Sequence, residues 1–228
     1  MQNKNNLLIV LFCCIAALSI TSCHKDDSSN DAPFDYGYFP MQVGDSLIYN
    51  VHVRDSDLID VDSSYQLLER VESIFDDNEA RPTFRLERYV RTNDSSPWSI
   101  YKVWTANLTT ALAEKKEDNI TFIKLIFPVE KNATWNGNAK NIYMNDDLGD
   151  YQITGLDQPL SLGTLNFDSA LTVTQLNADN LIESRYYIEQ YAKGTGMVYK
   201  EQIDSLQNNS GYKKKIHAYS ETLIYSNK

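Results

Sequence analysis

The chain has three histidines and three cysteines, so few side chains can serve as nucleophile, base or soft metal ligand. Two of the histidines, His52 and His217, sit in strand-like stretches, and His24 lies in a polar run near the N-terminus. A serine nucleophile needs a base within hydrogen-bond reach, so any triad would have to use His52 or His217. Both read more simply as surface or partly covered strand residues. His52 falls on the polar face of its strand, and His217 alternates with Lys215 and Tyr219. Gly44-Asp45-Ser46 lacks the closing glycine of a nucleophile elbow. A zinc site needs at least three well-placed ligands, and the sequence holds no His-Glu-x-x-His. No catalytic residue and no cofactor or metal is indicated.

Gly194-Thr195-Gly196 begins like a dinucleotide loop, but Met197, Val198 and Tyr199 follow and no third glycine arrives. Strand-like runs flank it on both sides, so it reads as a turn in which glycine supplies positive φ. Acidic clusters at Asp55–Asp62 and Asn145–Asp150 carry oxygen ligands of the kind calcium takes, without the spacing of a calcium loop. They read as solvated turns. Paired carboxylates for glycoside hydrolysis need a fixed separation in a cleft, and 31 acidic residues nominate no pair. Aromatic side chains are the remaining candidates. With 15 tyrosines, aromatic faces that bind sugars or apolar ligands are available, and Trp98, Tyr101 and Trp104 cluster in one run. The competing reading is an ordinary β-core with tyrosine hydroxyls at its margins. Asp45-Ser46-Leu47, Asp168-Ser169-Ala170 and Asp204-Ser205-Leu206 resemble a short bacterial O-glycosylation sequon.

The cysteines are all within the first 23 residues, at Cys13, Cys14 and Cys23. Lys4 precedes an apolar run, Leu7–Ile20, that is too short for a membrane-spanning helix of about twenty residues. It fits the apolar core of a secretory signal, with small residues at its end. Ile20-Thr21-Ser22-Cys23 resembles a bacterial lipobox, in which the cysteine receives a diacylglycerol on sulfur and becomes the first mature residue. Residues 1–22 are then a lipoprotein signal peptide, Cys23 is the lipid attachment site, and the mature chain keeps no thiol for a disulfide. Residues 23–37 are acidic and short of aliphatics, as in a disordered tether. Lys25-Asp26-Asp27 resembles the export signal of surface lipoproteins, a lysine followed by two acids. A solvated linker with no reader is the alternative.

The formal net charge is −10, and the signal carries only Lys4 among charged residues. That balance argues against nucleic acid as a partner, because affinity there comes largely from neutralising phosphates. It also disfavours docking on anionic lipid headgroups, leaving the acyl anchor to hold the protein to a membrane.

Elements that could position these groups are strands almost throughout. Tyr, Val, Ile and Thr dominate runs near Leu47–Val53, Ser64–Phe75, Pro82–Arg91, Trp98–Thr105, Ile120–Phe127 and Tyr151–Thr154. Leu165–Leu176, Ile182–Tyr191, Val198–Leu206 and Lys213–Tyr225 complete the set, with Gly, Asn and Asp turns between. Ile120–Phe127 is apolar on both faces and is expected to be central. Asn107–Glu117 fits a short helix or a hairpin. The expectation is an all-β fold: residues 38–228 as one antiparallel, strongly curved sheet or half-barrel of about ten strands, with at most one short helix.

Three spaced pieces carry a family resemblance: Tyr38–Gly44, Phe127-Pro128-Val129 with Trp135–Asn138, and Tyr191–Glu201. Together they resemble uncharacterised exported lipoproteins of the Bacteroidetes. That resemblance implies an outer-membrane, lipid-anchored, surface-exposed address and a β architecture, and it brings no catalytic residues. More loosely, strand count and aromatic content are similar to envelope lipoprotein carriers whose wrapped sheet holds a lipid. Three functions compete: a non-enzymatic binding or accessory module for a glycan or an apolar ligand, a surface glycan or ester hydrolase, and an assembly component. An apolar mouth lined by tyrosine would favour a lipid, and an outward aromatic strip a sugar. Oligomeric state is not legible.

Overall fold

A computed structural model describes residues 35–56, 60–142, 150–207 and 213–228. Cys23, Lys25, Asp26 and Asp27 lie outside the described residues, as do Asp57 and the Asn145–Gly149 part of the second acidic cluster. The described chain begins with a 3-10 turn, Tyr36–Tyr38, and continues as twelve strands. These are β1 (Ser46–Asp55), β2 (Val61–Asp76), β3 (Pro82–Arg91), β4 (Ser99–Leu108), β5 (Leu112–Glu117) and β6 (Ile120–Ile126). They are followed by β7 (Thr134–Trp135), β8 (Tyr151–Leu162), β9 (Leu165–Asp179), β10 (Glu183–Ala192), β11 (Gly196–Gln207) and β12 (Lys213–Ser226).

Every ladder is antiparallel, and each strand pairs with its neighbours in sequence, except that β6 and β7 share no ladder. The first and last strands also pair, from Leu47 opposite Ser226 to Asp55 opposite His217. The result is one twelve-stranded sheet, nearly closed into a barrel, whose missing ladder falls between β6 and β7 in mid-chain. Closure removes the unpaired edges that a β1 and a β12 would otherwise present. The gap itself is bridged without a ladder. The Ile123 amide donates to the Gly137 carbonyl at 2.9 Å, and the Trp135 indole donates to the Ile123 carbonyl at 2.8 Å.

The all-β expectation holds, with one open alternative resolved and two corrections of detail. Asn107–Glu117 is a hairpin, in which Leu108 faces Ala113, because Thr109 caps a tight turn through its hydroxyl. β8 runs to Leu162, well past the expected end at Thr154. β6 ends the ladder order instead of lying centrally. Its second apolar face exists because Ile123 and Leu125 pack in the cluster that includes Trp135 and Tyr151, so the segment around β7 covers that edge.

One end of the barrel is plugged by the 3-10 turn. Tyr38 and Phe39 are buried there, the Tyr38 hydroxyl bonds Asp157 and Ser169, and Phe39 packs against Tyr191. The Gly194–Gly196 turn grips this plug: the Gly194 amide donates to the Gly37 carbonyl at 2.8 Å, and Lys193 pairs with Asp35. Both glycines have positive φ, 79° and 98°, so the turn is part of the scaffold.

Candidate functional site

Strand alternation places one side-chain set inside. In β1, Tyr49 and Val51 are buried while Asn50 and His52 are exposed. Register carries that face around the wall: Tyr65, Val51, Glu221, Lys200, Glu189, Val173 and Ile153 stand opposite one another from strand to strand. Three members of this inward rung are charged. A parallel step joins Leu47, Glu69, Arg88 and Lys102. The barrel therefore carries an ionic layer across its interior.

Two clusters make up that layer. In the first, Lys124 Nζ lies 2.8 Å from Glu189 Oε1 and 2.9 Å from Glu117 Oε1, with Lys200 Nζ 3.7 and 3.9 Å from the same two acids. Tyr191 donates to the other Glu189 oxygen. In the second, Arg88 meets Glu221 at 2.8 Å and Glu69 at 3.2 Å, and Lys115 donates to both Glu69 oxygens. The Arg88 guanidinium stacks 3.8 Å from the Trp104 ring centroid. Burial opposes the charged form of Glu117, Glu189 and Glu221, but the facing lysines and Arg88 outweigh it and hold all three below the usual carboxylate range. Burial likewise works against Lys124, and Glu117 with Glu189 raise it above the ordinary lysine value. Such groups stay buried only when paired.

Above this layer, at the end opposite the plug, a recess of about 240 Å³ opens. Aromatic rings come from Tyr65, Tyr101, Trp104 and Tyr219, cations from Arg88, Lys102 and Lys200, and the acid is Glu221. Tyr101 reaches it because of a bulge: Lys102 faces Arg88 while Ile100 faces Tyr89, leaving Tyr101 as the extra residue. Tyr219 donates to Glu221 Oε1 at 2.5 Å, and Arg88 shares that oxygen. Glu221 Oε2 is buried and has no hydrogen-bond partner among the described residues. Burial first, then Glu221, pushes the Tyr219 hydroxyl far above the ordinary tyrosine range, so it is always a donor.

Neighbouring hollows differ in character. A second polar hollow of about 420 Å³ shares His217 with the recess and includes Tyr187, whose hydroxyl bonds both Asp204 oxygens at 2.7 Å. A trough of about 640 Å³ follows the outer wall, where Arg81 pairs with Asp77 and Glu114, and Lys140 pairs with Glu114. A void of about 30 Å³ near Phe39, Tyr49 and Met197 has room for little more than a water.

Of the aromatic trio singled out in the sequence, Tyr101 and Trp104 line the recess. Trp98 lies apart, with Arg91 4.4 Å from its ring centroid. Trp104 is 8% exposed, and its indole donates to Asp118 at 3.1 Å. His52 is outside the barrel beside Asp62, and His217 is 3.4 Å from Asp55 at the mouth. No cluster of three metal-ligating side chains occurs among the described residues, and no helix among them is long and apolar enough to cross a membrane. The ionic layer was not singled out from sequence. Its signal is a charge inside an apolar period-two run, as in Tyr65-x-Leu67-x-Glu69-x-Val71.

Fold and recess define a class, an antiparallel and nearly closed β-barrel whose open mouth is compatible with a ligand-binding module. No protein-family model matches the chain, and no curated protein matches it. Among solved structures, a protein of unknown function from the DUF3598 family, from Nostoc punctiforme, is similar at 10% identity with a TM-score of 0.24. The match covers 80% of this chain and 47% of that one, so the chain spans about half that protein's length. A likeness that low establishes no shared activity.

Proposed function

We propose that the protein is a lipid-anchored, non-enzymatic binding module of the outer envelope, and that its barrel mouth takes a glycan. The reading is carried by the ionic layer. A barrel that holds an acyl chain needs an apolar lumen, whereas Arg88, Glu69, Lys115, Glu221 and Lys200 underlie this recess with charge. Sugars suit such a lining, since their ring faces stack on aromatics and their hydroxyls bond charged side chains. The anchor at Cys23 rests on the lipobox, and surface exposure on Lys25-Asp26-Asp27.

Protein extracted in mild detergent should bind members of a glycan array and quench or enhance the fluorescence of Trp104. Native mass spectra should show no acyl lipid beyond the covalent anchor. A non-covalently held acyl lipid, together with an array that stays blank, would reverse the assignment.

A further inference from the structure

Lys200 and Glu221 stand directly opposite each other on the β11–β12 ladder, and both line the mouth recess. Neither is saturated by hydrogen bonds. Glu221 is 2% exposed, and its Oε2 has no partner among the described residues although Oε1 takes two donors. Buried carboxylate oxygens are rarely left so. Lys200 Nζ lies 3.7 Å from Glu189 and 3.9 Å from Glu117, beyond hydrogen-bond distance of either. One rung thus presents an acceptor lacking a donor beside a cation whose donors are not committed to those acids.

We infer that this rung reads a vicinal diol on the sugar ring, a deepening that rests on the glycan reading above. A hydroxyl both donates and accepts. One hydroxyl of the pair donates to Glu221 Oε2, and its neighbour accepts from Lys200 Nζ. Cross-strand side chains at opposed positions lie about 4.5–5.5 Å apart at Cβ, a spacing that lets two such groups converge on adjacent ring substituents. The ring face then rests against the tyrosines at the rim, of which Tyr101 is exposed and Tyr65 and Tyr219 are half-buried. A ligand that lacks either hydroxyl leaves a buried polar group without a partner, so discrimination at this rung is steep.

The test uses the detergent-extracted full protein with glucose, galactose and mannose and their monodeoxy analogues as probes, read by tryptophan fluorescence and saturation-transfer NMR. At least one sugar should bind, and removing one or both of two adjacent hydroxyls should weaken it by ten-fold or more. Lys200→Met should weaken the parent sugar similarly and make it indifferent to loss of one of those hydroxyls. Because Glu221→Gln also disturbs Arg88, a thermal melt accompanies it, and Lys200→Met carries the inference if the glutamine variant unfolds. Should sugars bind while every deoxy analogue and Lys200→Met bind equally well, the diol assignment falls and the glycan reading stands. If no sugar binds at all, both fall together.

Discussion

Lys124 of β6 donates to Glu189 of β10 at 2.8 Å, joining strands that share no ladder. Sixty-five residues separate the two in sequence, and both side chains are almost wholly buried. Substituting Lys124 by Met should therefore cost about 3–5 kcal/mol in urea unfolding, because Glu189 and Glu117 lose their nearest cation. The double variant Lys124→Met, Glu189→Leu should recover part of that loss. A double-variant loss equal to the sum of the Lys124→Met and Glu189→Leu losses would mean that the pair is not coupled.

Acid should destabilise the barrel in a defined window. Glu117, Glu189 and Glu221 have folded-state pKa values below the ordinary 4.5. As pH falls below about 4.5, the unfolded chain takes up protons that the folded chain refuses, so stability declines with falling pH. The contribution is full above that value and vanishes as pH passes below the folded values. Urea midpoints measured from pH 7 down to pH 3 should drop in this sense, and a midpoint that rises on acidification would contradict the ionic layer.

The mid-chain gap has its own weak point at Gly137. A Cβ there would sit 2.2 Å from the Tyr151 ring, which is buried edge-on against Trp135. Gly137→Ala should cost about 1–3 kcal/mol by overpacking. Amide exchange at Ile123, whose N–H is bonded to the Gly137 carbonyl, should quicken more than exchange at Leu223 on the far ladder.

At the β10–β11 turn, Gly196 has φ of 98°, and a Cβ there would meet Pro40 at 3.7 Å, an ordinary van der Waals contact with no clash. Gly196→Val should lose about 1–3 kcal/mol through backbone strain alone. Sugar binding by the folded fraction should be unchanged, since the turn is at the plugged end. A variant with an intact melting temperature and no binding would place the turn in a site.

Processing is tested at Cys23. Intact mass of membrane-extracted protein should show a chain starting at Cys23 with acyl mass added, and Cys23→Ala should release the protein or block cleavage. A full-length chain retaining Met1 without added mass would remove the anchor from the proposal.

The strands were legible because Tyr, Val and Ile recur at period two between Gly and Asn turns, and that local signal survives folding. β5 was less so, since Leu112–Glu117 holds two lysines and two glutamates that look solvated yet include Glu114 and Lys115, both buried. Charged residues are seldom interior unless paired, and pairing at separations such as Lys115 with Glu69 is set by the sheet and not by neighbours in sequence. The same holds for the recess. Tyr101 and Trp104 could be picked out as aromatic, but the bulge that brings Tyr101 to the mouth depends on how β4 registers against β3. Glu221 carries the charge-in-an-apolar-run signal, between Tyr219 and Leu223, but the open hydrogen-bonding position at its Oε2 is set by the fold.

Pairing of the first strand with the last sets the order in which the protein can be completed. Until β12 has left the ribosome, β1 has a single neighbour and the growing sheet keeps a free edge. The closing ladder, Leu47 with Ser226, joins residues almost the full length of the domain apart, so chain entropy must be surrendered before that contact repays it. Such a polypeptide cannot complete its sheet until the last strand is made, so closure of the barrel waits on β12.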